Sequence, residues 1–387
     1  MLQKMVLTNF LSFRERTEFD FTPSKYEFLR DTNVSDNGVL KGAMFVGANA
    51  SGKTNALRGL AFLIQLINGD PLYFAGYHCI FGGKTLGAEY TFVFSGSTVL
   101  YLVEYDTDQQ EMRETLTVDG TVVLMRRGAR GELRLGDTPI VDEQLDGQTA
   151  FLRTASFNTG RFPQNPVLHE LMEFLSNSVC VDEDNIRKLE ANASKIAEES
   201  GVEKLNQYLE AFRYDFSLEY GSESKGMGIW LRTATLPNGQ ERKVLFFKRR
   251  EFPVPFTFSR ESLGNQVFIG LLSHLIGCIE KPGIVLIDEY GNSLHNRLEE
   301  KLLRFFMESA GRSQFFFTSH CTNLMSNSLL RPDQIALVSF AVEEKPEGKV
   351  GSSRVKRVSD FSPRMAQNLE KMYLGGMFEG LPNYEEV

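Results

Sequence analysis

Along the last third of the chain, helical periodicity alternates with short unbroken apolar runs. Apolar residues at 267, 268, 271, 272, 275, 276 and 279 recur at three-to-four spacing and predict a helix, and the polar octet SRESLGNQ before them reads as its start. Then come GIVLID, a helical NRLEEKLLRFFMES, QFFFTS and IALVSF. Such alternation predicts a parallel α/β sheet. Nearer the N-terminus, KMVLTNF and TEFDF read as short strands, GAMFV at 42–46 as a buried one, and TNALRGLAFLIQLI as a helix. Residues 89–135 carry alternating runs broken by Ser-Gly, Asp-Thr-Asp and Asp-Gly, the pattern of an antiparallel meander. Residues 165–180 read as helical. Apolar spacing over 186–212, with a break at Ser200-Gly201, predicts a helical pair, and GIWLRTATL, Asn238-Gly239 and ERKVLFFKR predict a hairpin.

No linker rich in Pro, Gly or Ser divides the 387 residues. The expectation is an α/β chain with a mixed-sheet core, an antiparallel β subdomain and a short helical insertion, arranged as an N-terminal lobe (1–165), the insertion (166–225) and a C-terminal lobe (226–387).

Candidate chemistry begins at GANASGKT, which comprises Gly47, Asn49, Ala50, Ser51, Gly52, Lys53 and Thr54 around Ala48 and fits G-x-x-x-x-G-K-[ST] between a strand and a helix. Its glycines let backbone N–H groups wrap phosphates, Lys53 supplies a point charge, and Thr54 is placed to ligate Mg²⁺. A second element, GIVLIDEY, ends an apolar strand in adjacent acids. Asp288 suits the Mg²⁺ shell, and Glu289 suits orienting a water or accepting its proton. Hydrolysis is the implied reaction. QFFFTSH places His320 at the end of a further strand; alone it reads as structural, but parallel packing beside Asp288 and Glu289 would bring it to the same sheet edge.

Composition narrows the class. With 42% hydrophobic and 24% charged residues the chain is globular, and its longest apolar helical stretch is interrupted and shorter than a membrane span. No signal-peptide pattern is seen, so a cytoplasmic, membrane-free protein is expected. Four scattered cysteines form no C-x-x-C pair. A net charge of −8 disfavours whole-surface attraction to nucleic acid. Local patches at Arg126, Arg127, Arg130 and Arg134, and at Lys248, Arg249 and Arg250, remain open as either contacts or solvated strand edges.

In order, LTNFLSF, GANASGKT, ESLGNQ, LIDEYGNSLH and FTSH resemble the ATPase core shared by SMC-type and ABC-type proteins. The likeness is strongest to bacterial AAA-annotated ATPases related to the OLD family, including ATPase subunits of anti-phage systems such as PARIS and those of the Rlo and AbiL operons; YLGGMFEGLP resembles a segment of their tails. The resemblance implies a P-loop NTPase fold of ABC/SMC type, with ATP and Mg²⁺ as ligands. It implies that Ser262 and Gly264 contact the γ-phosphate of ATP held by the opposite subunit. Ser262 equally reads as a helix cap. By the same resemblance Asn292, Ser293 and Leu294 form the D-loop, with His295 just beyond, and His320 is the switch histidine. ESLGNQ departs from L-S-G-G-Q, and the glutamine-loop residue is open between Asn158 and Gln164. Arg14 is open between nucleotide contact and surface strand residue.

No C-x-x-C hook and no D-x-D after His320 are present, so a fused Toprim nuclease is not expected and any effector should be a separate nuclease or toxin chain. The resemblance thus implies a homodimer or higher homo-oligomer that closes around ATP and serves as sensor or scaffold of an anti-phage system, with DNA or a phage protein as trigger. The competing expectation is an SMC-like DNA-binding repair or chromosome-maintenance ATPase without an effector.

Overall fold

The computed structural model describes the chain except residues 137, 163–164, 182–192, 196, 199–200, 223–242, 253–254, 347 and 379–387. In chain order its elements are β1 (Leu2–Thr8), β2 (Thr17–Asp20), α1 (Arg30–Asn33), β3 (Gly42–Val46), α2 (Lys53–Asn68), β4 (Thr85–Phe94), β5 (Ser97–Asp106), β6 (Glu111–Val118), β7 (Thr121–Arg127), β8 (Arg130–Leu133) and β9 (Ile140–Asp142). Next are α3 (Phe151–Phe157), α4 (Pro166–Ser176), β10 (Val179–Val181), α5 (Val202–Ala211), β11 (Phe216–Ser222), β12 (Lys243–Arg249) and β13 (Phe256–Thr257). The chain continues through α6 (Leu263–Glu280), β14 (Ile284–Ile287), α7 (Asn296–Ser309), β15 (Gln314–Thr318), β16 (Ile335–Lys345), β17 (Gly348–Arg357) and α8 (Leu369–Leu374).

The central sheet has the order β10-β14-β15-β3-β16-β17. Its first five strands run parallel, and β17 returns antiparallel to β16. Every residue of β3, β14 and β15 is buried, as expected of parallel strands covered on both faces. Alternation then divides the side chains between two cores. Ala43, Phe45, Leu286 and Phe316 face the first core, with α2 and the antiparallel sheet; Met44, Val46, Ile287, Phe315 and Phe317 face the second, with α5, α6 and α7.

The antiparallel sheet has eight strands, β2-β1-β4-β5-β6-β7-β8-β9. The N-terminal strands thus extend the meander, because β1 pairs with β4 as well as β2. Gln314 ties this sheet to the central one: its buried amide accepts from Leu2 N at 2.7 Å and donates to the carbonyls of Leu2 and Leu40 at 2.8 and 3.0 Å. Packing of α2 against β1 is close; a Cβ on Gly59 would lie 2.8 Å from a Leu7 methyl.

One expectation changes, and two others fall wholly or partly outside the described residues. The helix expected over 165–180 ends at Ser176, and Val179–Val181 pairs in parallel with β14. Ser178 enforces the turn: its hydroxyl donates to Phe174 O and accepts from Ile284 N, both at 2.8 Å, which draws the chain into the sheet. The expected hairpin strand at 228–236 lies outside the described residues, and β12 pairs with β11, whose sequence was not read as a strand. Of the helical pair, the second member is α5, and most of the first lies outside the described residues.

The first basic patch is not a free surface. Arg126 is buried against Glu114 at 3.2 Å, and Glu114 also accepts from Tyr101 Oη at 2.7 Å and from Phe151 N, at the start of α3, at 2.8 Å. Arg127, Arg130 and Arg134 pair with Glu111, Glu143 and Glu132 at 3.3, 2.6 and 2.6 Å. In the second, Lys248 pairs with Glu219 and Arg249 with Glu261, at 2.7 and 2.9 Å, while Arg250 is exposed. The longest apolar helix, α6, passes a length-and-hydropathy test for crossing a membrane, but half of it is buried inside the fold as the core helix of the second cluster.

Candidate functional site

The P-loop joins β3 to α2 at the C-terminal edge of the central sheet. Gly52 caps α2 with φ 109°, and a Cβ there would lie 2.4 Å from Ser353 Oγ and 2.8 Å from Ser12 Oγ. Only glycine fits such a backbone in such a space. The loop is fixed from both sides: Ser353 Oγ donates to Ser51 O at 2.7 Å, Asn55 Nδ2 donates to Ser12 Oγ at 2.9 Å, and Ser353 N donates to Ser12 O at 2.7 Å. Asn49 and Ala50 are exposed at the tip, with Ala50 left-handed at φ 60°, whereas Ser51 is buried. Lys53 is 7% exposed, and its Nζ donates to the carbonyls of Gly47 and Ala48 at 2.9 Å each. Burial lowers its pKa, and the charges of Asp288 and Glu289 oppose that shift.

Parallel pairing of β14 with β15 sets Asp288 and Glu289 beside the Thr318–His320 segment. Thr318 Oγ1 donates to Asp288 Oδ1 at 2.5 Å and accepts from Glu289 N at 2.8 Å. Glu289 is exposed and sits in the left-handed region at φ 54°, a conformation unusual for a glutamate and held here by its neighbours. His320 is exposed, and its pKa is lowered by desolvation first and by the Lys53 charge second, with Asp288 opposing. Lys53, Asp288, Glu289 and His320 therefore share one electrostatic environment.

Thr54 Oγ1 donates to Asp288 Oδ1 at 3.3 Å. A hydroxyl and a carboxylate this close are a donor set suited to Mg²⁺, which takes one or two protein oxygens and completes its shell with water and phosphate. Among the described residues no cluster of three or more His, Cys, Asp or Glu stands as an all-protein metal cage. A cavity of about 510 Å³ opens beside Thr54 and Asp288, with Arg58, Gln65, Tyr77 and Cys180 in its wall.

Ser262 and Gly264 lie at the start of α6. Ser262 is the exposed N-cap of α6; its Oγ accepts from Asn265 N at 3.4 Å and its N–H donates to Glu261 Oε1 at 2.9 Å. Gly264 packs on the 292–294 turn, where a Cβ would lie 3.0 Å from Ser293 O. Asn292 and Ser293 are exposed, and His295 caps α7 through its Nδ1, which accepts from Arg297 N at 3.3 Å. The 292–295 turn joins the α6 start to the acidic pair: Gly264 packs on Ser293, and Asn292 donates its N–H to Glu289 O at 3.0 Å and its Nδ2 to Glu289 Oε2 at 3.4 Å.

Of the weaker candidates, Gln164 lies outside the described residues, and Asn158 is exposed at the end of α3. Arg14 pairs with Glu15 at 3.3 Å and donates its N–H to Ser352 Oγ. Sequence reasoning missed Ser12, Asn55, Thr318 and Ser353. Thr318 carried a faint signal, as a hydroxyl closing an apolar strand; Ser353 comes from a strand 302 residues downstream of Ser51, which it bonds, and carried none.

Among solved structures, the SMC head seen bound to the C-winged helix domain of ScpA is similar, with a TM-score of 0.51 and 14% identity over 93% of this chain and 98% of that one. The SMC head domain from Thermotoga maritima is similar with a TM-score of 0.47 and 15% identity, over 92% and 98%. None of the curated proteins matches. The first likeness establishes the fold as that of an SMC-head P-loop domain. Residues 43–326 match the family described as "AAA domain, putative AbiEii toxin, Type IV TA system". Since that match spans the P-loop, the acidic pair and the strand before His320, the chain belongs to this AAA-domain family.

Proposed function

We propose that the chain is an ABC-type ATPase whose active site is completed by a second copy. The observation that carries this reading is the α6 start itself, an N-terminus with Ser262 exposed that packs through Gly264 on the 292–294 turn. The P-loop grouping has Lys53, Thr54, Asp288, Glu289 and His320, whereas Ser262 and Gly264 form an exposed helix N-terminus beside Ser293. A helix N-terminus favours an anionic ligand, and two copies arranged head to tail would each offer theirs to the other's nucleotide.

In this mechanism backbone N–H groups of residues 47–54 wrap the phosphates and Lys53 turns its charge from the loop carbonyls to the terminal phosphates. Thr54 and Asp288 would hold Mg²⁺, which supplies charge neutralisation at the phosphates. Glu289, solvent-facing, orients water and accepts its proton. His320, at the end of the strand beside Asp288 and Glu289, hydrogen-bonds the γ-phosphate. ATP thereby joins two copies, and hydrolysis releases them.

The wider role is the sensor or scaffold of an anti-phage system that controls a separate effector chain. Support comes from the family description, which names a toxin of a toxin–antitoxin system, and from the resemblance to anti-phage ATPase subunits. The DNA-binding alternative draws little support from the hairpins, whose basic side chains are mostly paired with acids. Phosphate release by wild type beside Lys53→Ala tests the ATPase: equal rates sink it. Loss of phage protection by Lys53→Ala, in cells carrying the neighbouring genes, tests the wider role.

A further inference from the structure

Glu299 lies on α7, ten residues beyond Glu289, and is 1% exposed. Its carboxyl makes no hydrogen bond of ordinary geometry and has a looser contact to the Cys321 thiol. Helix capping does not account for it, because His295 fills that role at the start of α7. Nor does an ion pair, since no cation bridges to it among the described residues.

What surrounds it is specific. On one side is the backbone of Gly291 at φ 94°, where a Cβ would come within 2.5 Å of Glu299 Cδ and 2.8 Å of both carboxyl oxygens. On the other is the Cys321 thiol, which interacts with the carboxyl as a weak hydrogen-bond partner. The same two segments are already stitched together above it: Tyr290 N donates to Thr318 O at 2.8 Å, Ser319 Oγ donates to Tyr290 O at 2.9 Å, and Cys321 N donates to Ser319 Oγ at 3.0 Å. From below, Tyr290 Oη donates to Glu299 O at 2.7 Å. Glu299 therefore sits where α7, the 291–293 turn and the residue after His320 converge.

We propose that Glu299 is a positioning residue: its carboxyl, wedged between Gly291 and Cys321, couples the 291–293 turn to the His320 segment so that the two move as one body. In the dimer proposed above, this couples the turn that faces the second copy to the histidine that faces the γ-phosphate. Burial raises the Glu299 pKa, while the Cys321 thiol opposes the shift and the Glu300 charge adds to it. Glutamine keeps the shape of this side chain and is its closest replacement.

The coupling is read by hydrogen exchange on the full chain without nucleotide, so that it stands apart from the ATPase reading. Glu299→Leu is expected to speed amide exchange about tenfold in both 290–293 and 318–322, because a local opening now releases them independently of α7. Glu299→Gln should leave both segments near wild type. Unchanged exchange in the leucine variant, a rise confined to one segment, or an equal rise in the glutamine variant overturns the proposal. Should the leucine variant not fold, Cys321→Ala decides, with a smaller rise in the same two segments expected and none contradicting. In turnover, which does rest on the ATPase reading, Glu299→Leu is expected to lower kcat about 10- to 100-fold at unchanged nucleotide affinity, the scale for misplaced catalytic groups. A wild type no faster than Lys53→Ala would remove the ATPase reading and leave the exchange result standing.

Discussion

Thr318 Oγ1 sits between Asp288 and Glu289, donating to the carboxylate of the first at 2.5 Å and accepting from the N–H of the second at 2.8 Å. One hydroxyl from the neighbouring strand thus fixes both the acid suited to Mg²⁺ and the left-handed backbone that turns Glu289 toward solvent.

Thr318→Val keeps the shape and removes both bonds. Turnover is expected to fall about 10- to 100-fold, in line with ~1.5–3 kcal/mol for a hydrogen bond to a charged group. ATP affinity should change little, since Lys53 and the loop are untouched. Steady-state kinetics with a fluorescent nucleotide titration checks the split; a pure loss of affinity would contradict it.

Ser262→Arg should leave ATP binding intact while abolishing hydrolysis. Lys53→Ala is expected to be inactive for the opposite reason, losing its own nucleotide but keeping its α6 start. Mixed in equal amounts, the two dead variants should recover about a quarter of wild-type turnover, because half the dimers pair one intact loop with one intact partner surface. No recovery would argue that each chain completes its own site.

Glu289→Gln should bind ATP and hydrolyse it about 10²- to 10⁴-fold more slowly, the usual contribution of a proton-accepting group. Light scattering with ATP and Mg²⁺ should then report a persistent oligomer. The same mass with and without ATP would rule out nucleotide-driven assembly.

His274, buried on α6, has its pKa lowered to about 4 by burial. Below the ordinary value of about 6.5 the unfolded chain takes up a proton that the folded chain refuses, so stability falls as pH drops through that window and levels off near 4. The shift corresponds to about 3 kcal/mol. Denaturant melts at pH 7 and 4.5 should show His274→Gln losing less stability on acidification than wild type; an equal loss would place the acid sensitivity elsewhere.

Glu114 neutralises the buried Arg126 and binds the first N–H of α3. Glu114→Ala leaves a guanidinium buried without its carboxylate and is expected to cost about 3–5 kcal/mol. Replacing the exposed Glu143, partner of Arg130, should cost under about 1 kcal/mol. Comparing the two denaturation midpoints measures the difference.

Much of the fold was legible because its signals are local. Buried parallel strands such as 42–46 and 314–318 must be apolar throughout, and α2 and α6 carry three-to-four spacing over several turns. The Val179–Val181 strand was not legible: three residues have no period of their own, and what makes them a strand is β14 lying alongside and Ser178 bonding across to Ile284.

The site divides along the same line. By itself the sequence determined the P-loop, the acidic pair and the strand-end histidine, since each depends on residue types at short fixed spacing whose backbone geometry follows from neighbours. Only the tertiary structure decided that Ser12 and Ser353 clamp the loop from remote segments, that Thr318 holds Asp288 and Glu289, that the arginines of the first basic hairpin are already paired, and that Gly264 meets Ser293. Those relationships depend on which strands become neighbours, and strand order is set by long-range burial of both sheet faces, which no local window of the chain contains.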